Sequence, residues 1–248
     1  MTLWRLEWLR LVRTRRWIAL LGVYLFFGLL GPFTARYMDV LLGTFAGDVE
    51  VQLPPPEPVD GIVQYVSNAS QLGLLVLVAL AAGALGIDAR AEVAAFFRTR
   101  VARAWTLLAP RFVVMAAAGC AAFTLGALGA WYETVVLLGS VPVGGMLAGI
   151  VYGCVYLVFA VAVVAFATAL TRSVLASVVV AVGGLLVLPV LGLLGTLGEW
   201  LPSHLVGALP ALAGGESPGE YLRASAVTLV LASGLLPVSA WLLDRREV

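Results

Sequence analysis

Long uncharged apolar stretches alternate along this chain with short charged ones. The apolar runs occupy about 17–35, 67–87, 112–132, 141–170, 173–198 and 224–243. At 1.5 Å of rise per residue, a helix of about 20 residues crosses a hydrocarbon layer of ~30 Å. Each run therefore predicts one membrane span. The run at 67–87 is strictly apolar only from Leu72, which puts Ser67, Asn68, Ser70 and Gln71 at its outer end. The run at 141–170 is longer than a span needs, and its start lies among Pro142, Gly144 and Gly145. The expected fold is an all-α membrane protein: one transmembrane domain over 1–248 with six spans. An arm at 1–16 precedes them. The linking segments are an outer loop at 36–66, a loop at 88–111 and an outer hairpin at 199–221.

Charge orients this arrangement. With six spans, the N-terminus, the 88–111 loop, the 171–172 turn and the C-terminus share one side. Of the fifteen basic residues, all arginines, only Arg36 and Arg223 fall on the other side. The acids Asp39, Asp48, Glu50, Glu57, Asp60, Glu133, Glu199, Glu216 and Glu220 lie with that minority. Cytoplasmic loops retain basic residues, so both termini are expected in the cytoplasm. A cleavable signal is the alternative for the N-terminus. Against it, the apolar stretch exceeds the roughly 7–15 residues of a signal's core.

Composition sharpens the class. Hydrophobic residues make up 62% of the chain and the mean hydropathy is +1.03, against roughly 45–50% apolar residues in soluble domains. There is no lysine, so the G-x-x-x-x-G-K-[ST] phosphate loop is excluded. H-E-x-x-H, C-x-x-C and G-x-S-x-G are absent as well. Cys120 and Cys154 fall inside apolar runs and read as reduced packing residues. His204, the single histidine, adjoins Ser203. Sequence neighbours point apart, so a nucleophile and base there is the weaker reading beside an ordinary loop histidine. No run carries a charge in its core, and ionisable groups there would mark a relay. No bound cofactor or metal, and no nucleic acid, is implied for this chain.

The arm TLWRLEWLRLVRTRR places Trp4, Trp8 and Leu11 on one face and Arg5, Arg13 and Arg16 on another. That suits a helix lying at the headgroup level of the bilayer; a plain basic anchor is the other reading. The proline-rich 37–66 stretch predicts an extended, stiff segment. The 199–221 stretch stays apolar between its prolines, as a short re-entrant or interfacial helical piece does. Gly145, Gly149 and Gly153 repeat every fourth residue, a double G-x-x-x-G that admits a second helix closely, within one subunit or between two. Pro32 and Pro189 predict helix breaks near the outer ends of the first and fifth spans.

The most unusual stretch is DARAEVAAFFRTRVARAW at 88–105. Its alanines favour helix, and Val93, Phe96, Phe97 and Val101 gather on one side, with Arg100 intruding, in a stretch that also carries Arg90, Arg98 and Arg103. A loop that only set topology would gain nothing from paired phenylalanines. The rings either dip into the membrane interface or dock into a partner protein.

Taken in order, these features resemble the ABC-2 type permease family, the membrane subunits of ATP-binding-cassette exporters. The order is a basic arm, six spans, a helical basic loop after the second span and an apolar hairpin before the sixth. The residues that carry the resemblance are Glu92, Ala94-Ala95, the Arg98–Arg103 patch and Arg111. Here Ala94-Ala95 stands where the family often has Gly-Thr, and Arg111 where a lysine is common. The resemblance implies a permease dimer, expected as a homodimer, docked on two copies of a separate ATPase that binds ATP and Mg. Glu92, Phe96, Phe97, Arg98, Arg100 and Arg103 would form the coupling helix on that ATPase. Trp200, Pro202 and His204 would belong to an outer gate. The expected location is a bacterial plasma membrane, and the expected cargo a hydrophobic or amphipathic drug or lipid moved outward. An intramembrane enzyme and a non-transporting scaffold or immunity protein are the rival readings.

Overall fold

The computed structural model describes residues 3–39, 55–86, 103–193 and 195–245. Leu3–Arg13 forms α1 and Arg16–Arg36 forms α2. Helix α3 runs over Pro58–Leu85, its two α-helical parts joined by a π-helical turn at Ala69–Gly73. Then come α4 (Trp105–Leu137), α5 (Val143–Leu170) and α6 (Val174–Gly192). Tight 3-10 turns at Gly195–Trp200 and Pro202–Gly207 lead into the short α7 (Ala208–Ala213). A further 3-10 turn at Pro218–Tyr221 opens into α8 (Leu222–Asp244). Six of the described helices, α2 to α6 and α8, are long and apolar enough to cross a membrane. The described residues thus form an all-α bundle of the multi-pass membrane type.

Several boundaries differ from the hydropathy pattern, each for a local reason. The outer loop was expected to stay extended to residue 66, yet α3 begins at Pro58. Proline suits the first helical position, and Glu57 and Asp60 close a capping box in which the Glu57 N–H donates to Asp60 Oδ2 at 2.8 Å. The polar group from Ser67 to Gln71 therefore sits within α3 instead of at its end. Helix α4 begins at Trp105, so Arg111 belongs to the helix and not to the loop before it. It also carries Glu133 near its far end, so α4 extends past the uncharged 112–132 run to include one charged residue on each side of it. The predicted breaks at Pro32 and Pro189 are absent: both prolines lie inside continuous helices. The fifth span ends at Gly192, several residues before 198, because the chain turns into 3-10 geometry from Gly195.

Helix α5 is the axis of the bundle. It packs on α3, α4, α6, α7 and α8, and just over half of its most apolar window, 56%, is buried. Small residues let α2 and α4 approach to backbone contact: a Cβ on Gly126 would stand 2.5 Å from the Tyr24 carbonyl oxygen. The buried Tyr65 hydroxyl of α3 donates to the Phe123 carbonyl of α4 at 2.8 Å. Helix α6 is the contrasting element, with only 17% of its window buried and Leu175, Val179, Leu186 and Val190 facing outward. An outward apolar face of that kind is costly in water and natural in hydrocarbon.

Both ends of the bundle can be assigned from contacts. Leu107, Ala169 and Leu243 cluster together, bringing the start of α4 and the ends of α5 and α8 to one level. The Ala104 N–H donates to Asp244 Oδ1 at 2.8 Å at this terminal end. Helix α1 joins the same end through Arg111 Nε, which donates to Glu7 Oε1 at 3.0 Å. Residues 195–221 occupy the opposite, hairpin end.

Candidate functional site at the hairpin end

The hairpin is seated on glycines. A Cβ on Gly145 would run into the Leu212 carbonyl, and one on Gly149 would lie 2.6 Å from Leu209 Cα. Only hydrogen at these two positions lets α7 lie against α5. Gly153, one turn further, faces the Phe123 ring of α4. All three glycines of the row thus bear on neighbours within the subunit. Leu205, Leu209 and Leu212 fix the hairpin from above, all fully buried.

Beneath the hairpin lies a small cavity of about 30 Å³. Tyr24, Ser70, Phe123 and Tyr156 line it from the bundle, and Leu205 and Leu209 close it from the hairpin. The space suits about one water molecule. Aromatic rings stiffen its wall: Tyr24 meets Phe123 edge-on at 6.1 Å, and Tyr65 stacks on Phe123 at 5.9 Å. The Tyr24 hydroxyl is buried with no hydrogen-bond partner among the described residues. The π turn of α3 supplies Ser70, whose hydroxyl donates to the Ser67 carbonyl. A π turn interrupts helical pairing and recurs at functional positions.

Above the hairpin the surface is polar. A cleft of about 400 Å³ is bounded by Glu199, His204, Ser217, Gly219, Glu220 and Arg223. The His204 ring stacks on Tyr221 at 4.7 Å, the planes 18° apart, and the Tyr221 hydroxyl donates to Glu216 Oε2 at 3.0 Å. Arg223 lies 5.6 Å from the Trp200 ring centre. Tyr152 of α5 ties the hairpin down by donating to the Pro218 carbonyl at 2.8 Å. Of the three expected gate residues, Trp200 is exposed, Pro202 buried and His204 half-buried. The hairpin thus lies between a small aromatic space and a larger, charged one. Chemically it can cover the bundle centre, and it offers polar groups to whatever lies outside.

Other expected residues are distributed differently. Glu92, Phe96, Phe97, Arg98 and Arg100 lie outside the described residues; Arg103 is described, exposed, just before α4. In α1, Trp4, Arg5, Trp8 and Arg13 are exposed, and Arg16, at the start of α2, is half-buried. Leu11 does not share the tryptophans' surroundings: it is buried with Glu7 against the bundle, because Glu7 meets Arg111 on that face. Cys120 and Cys154 are free and face each other across α4 and α5, Cys120 Sγ standing 3.6 Å from the Cys154 carbonyl oxygen. Among the described residues no group of three His, Cys, Asp or Glu side chains is placed to hold a metal ion. Comparison of the chain with family models, with curated proteins and with solved structures finds no match.

Proposed function

We propose that this chain is the membrane subunit of a two-component, ATP-driven exporter of the ABC-2 type, working as a dimer and carrying an amphipathic or hydrophobic cargo. The observation that carries the reading is the hairpin seated on Gly145 and Gly149, over an aromatic cavity in the bundle centre. A central space covered by one separable element is what an alternating-access path needs in its resting state. The hairpin is then the outer gate, with Trp200, Pro202 and His204 at its rim. The arm and the arginine-rich 88–105 segment lie at the inner face, where Glu92, Phe96, Phe97, Arg98, Arg100 and Arg103 grip the ATPase. Energy enters from that partner, since this chain has no phosphate loop. ATP-driven closure of two ATPases pulls the gripped segments together and rocks the spans, freeing the hairpin.

The test is reconstitution with a separate P-loop ATPase, sought first in the reading frames adjacent to this chain's own. Copurification, and ATPase activity stimulated by the permease, are the expected results. Phe96→Asp or Phe97→Asp should abolish that stimulation while leaving insertion intact. Transport by the purified chain alone, or labelling of a cysteine at position 97 from outside intact cells, would overturn the reading.

A further inference from the structure

The terminal end of the bundle holds a second polar site that the transport reading does not use. It is a notch of about 20 Å³ between α1, the end of α3 and the start of α4, lined by Glu7, Arg10, Thr14, Arg16, Ala84 and Arg111 among others. Arg111 is only 5% exposed. Its Nε donates to Glu7 Oε1 at 3.0 Å, and its Nη1 lies 3.4 Å from the Ala84 carbonyl oxygen. Arg10 stands 3.6 Å from the other Glu7 oxygen. Arg16 reaches across Gly83. Three guanidinium groups therefore converge on one Glu7 carboxylate, and Arg16 makes no ion pair among the described residues.

The backbone is bent to make this convergence. Arg15 sits in the left-handed region at φ 54° and ψ 15°, which costs a non-glycine residue roughly 1 kcal/mol. That corner folds α1 back along the bundle, so that Glu7 reaches Arg111 while Arg16 points at the same notch. The Thr14 hydroxyl, also at the notch, is turned to the Arg10 carbonyl at 2.7 Å.

The surroundings fix the level of the notch. Trp4, Trp8, Trp17 and Trp105 are all exposed on the same end of the bundle, and tryptophans of that kind settle at the membrane–water boundary. A positive notch at that depth faces lipid phosphates. Guanidinium forks match phosphate oxygens in two-point geometry, and basic pockets between helices at this level bind anionic headgroups. The free space suits one phosphate oxygen entering between Arg10 and Arg16, with the rest of the headgroup outside.

We infer that the notch between α1, α3 and α4 is a binding site for the phosphate of an anionic phospholipid, clasped by Arg10 and Arg16 and backed by Arg111. The inference rests on the membrane bundle and not on transport, so it stands or falls apart from the exporter reading. Its test is titration of the purified full chain, in neutral detergent, with dioctanoyl-phosphatidylglycerol, dioctanoyl-phosphatidylcholine or inorganic phosphate, read as the midpoint of thermal unfolding. Phosphatidylglycerol should raise the midpoint at concentrations where the other two do nothing. The double variant Arg10→Gln, Arg16→Gln should bind it roughly 25-fold more weakly, about fivefold for each arginine. Arg245→Gln, at the same end but away from the notch, should respond as the wild type does. An equal response to phosphatidylcholine, an undiminished response in the double variant, or an equal loss in Arg245→Gln overturns the site. Inorganic phosphate acting as strongly as the lipid overturns the lipid assignment. Should the double variant fail to fold, the headgroup comparison on the wild type decides alone.

Discussion

The two ends of this bundle are closed by opposite means. At the hairpin end the seal is made of absence: Gly145 and Gly149 present no side chain, and the α7 backbone settles into the space. At the terminal end the seal is made of charge, with Glu7 drawn onto Arg111 and Asp244 accepting from the Ala104 N–H. The glycine seal consists of shape and dispersion, so it can separate and re-form without stranding an ion. The ion pair has no such freedom, since parting Glu7 from Arg111 leaves a charge in a poorly solvated place. A molecule that opens at one end and stays assembled at the other would be built this way round.

That contrast can be broken by experiment, the largest effect first. Glu7→Leu removes the Glu7 carboxylate from the buried Arg111 and should cost about 3–5 kcal/mol, measured by unfolding in mixed micelles of increasing sodium dodecyl sulfate. Glu7→Leu with Arg111→Leu should recover most of that loss, and strictly additive losses would show that the pair does not hold α1. Gly149→Val should cost about 1–3 kcal/mol through overpacking. It should also expose the hairpin, read as faster thiol labelling of a cysteine placed at Val206 in a Cys120→Ser, Cys154→Ser background. An unchanged labelling rate there would mean that the glycine row does not seat the hairpin. Tyr65→Phe removes one buried hydrogen bond between α3 and α4 and should cost about 1 kcal/mol in the same unfolding assay. Arg15→Gly should be the mildest and of opposite sign, a gain below about 1 kcal/mol as the left-handed corner loses its Cβ clash. A loss there would show that the corner is held by the Arg15 side chain and not merely tolerated.

Much of the bundle was legible because hydrocarbon is an undemanding solvent: a run of apolar residues announces a span without any knowledge of its neighbours. All six apolar runs have a helix. Polar residues hid the edges. Gln64, Ser67, Asn68, Ser70 and Gln71 dilute the start of α3 below any hydropathy threshold, although Glu57, Pro58 and Asp60 spell a helix start by capping chemistry. Arg111 looked like loop because it is charged, yet it is tolerated inside α4 through a glutamate 104 residues away. No local pattern contains that pairing. The glycine row on α5 was visible, but its occupant was not, since the three side-chain-free positions fit any helix that comes close. The Gly126 contact with α2 went unseen for a related reason: it needs a partner backbone at a matching height, which spacing alone does not supply.

The π turn at Ala69–Gly73 has a geometric corollary. It holds one residue more than an α turn, and one residue amounts to about 100° of helical phase. Converting that turn to regular helix would therefore swivel one half of α3 against the other by about a quarter revolution. Gly73 bears on the Tyr24 ring at this joint, so the swivel would turn directly beneath the hairpin's floor.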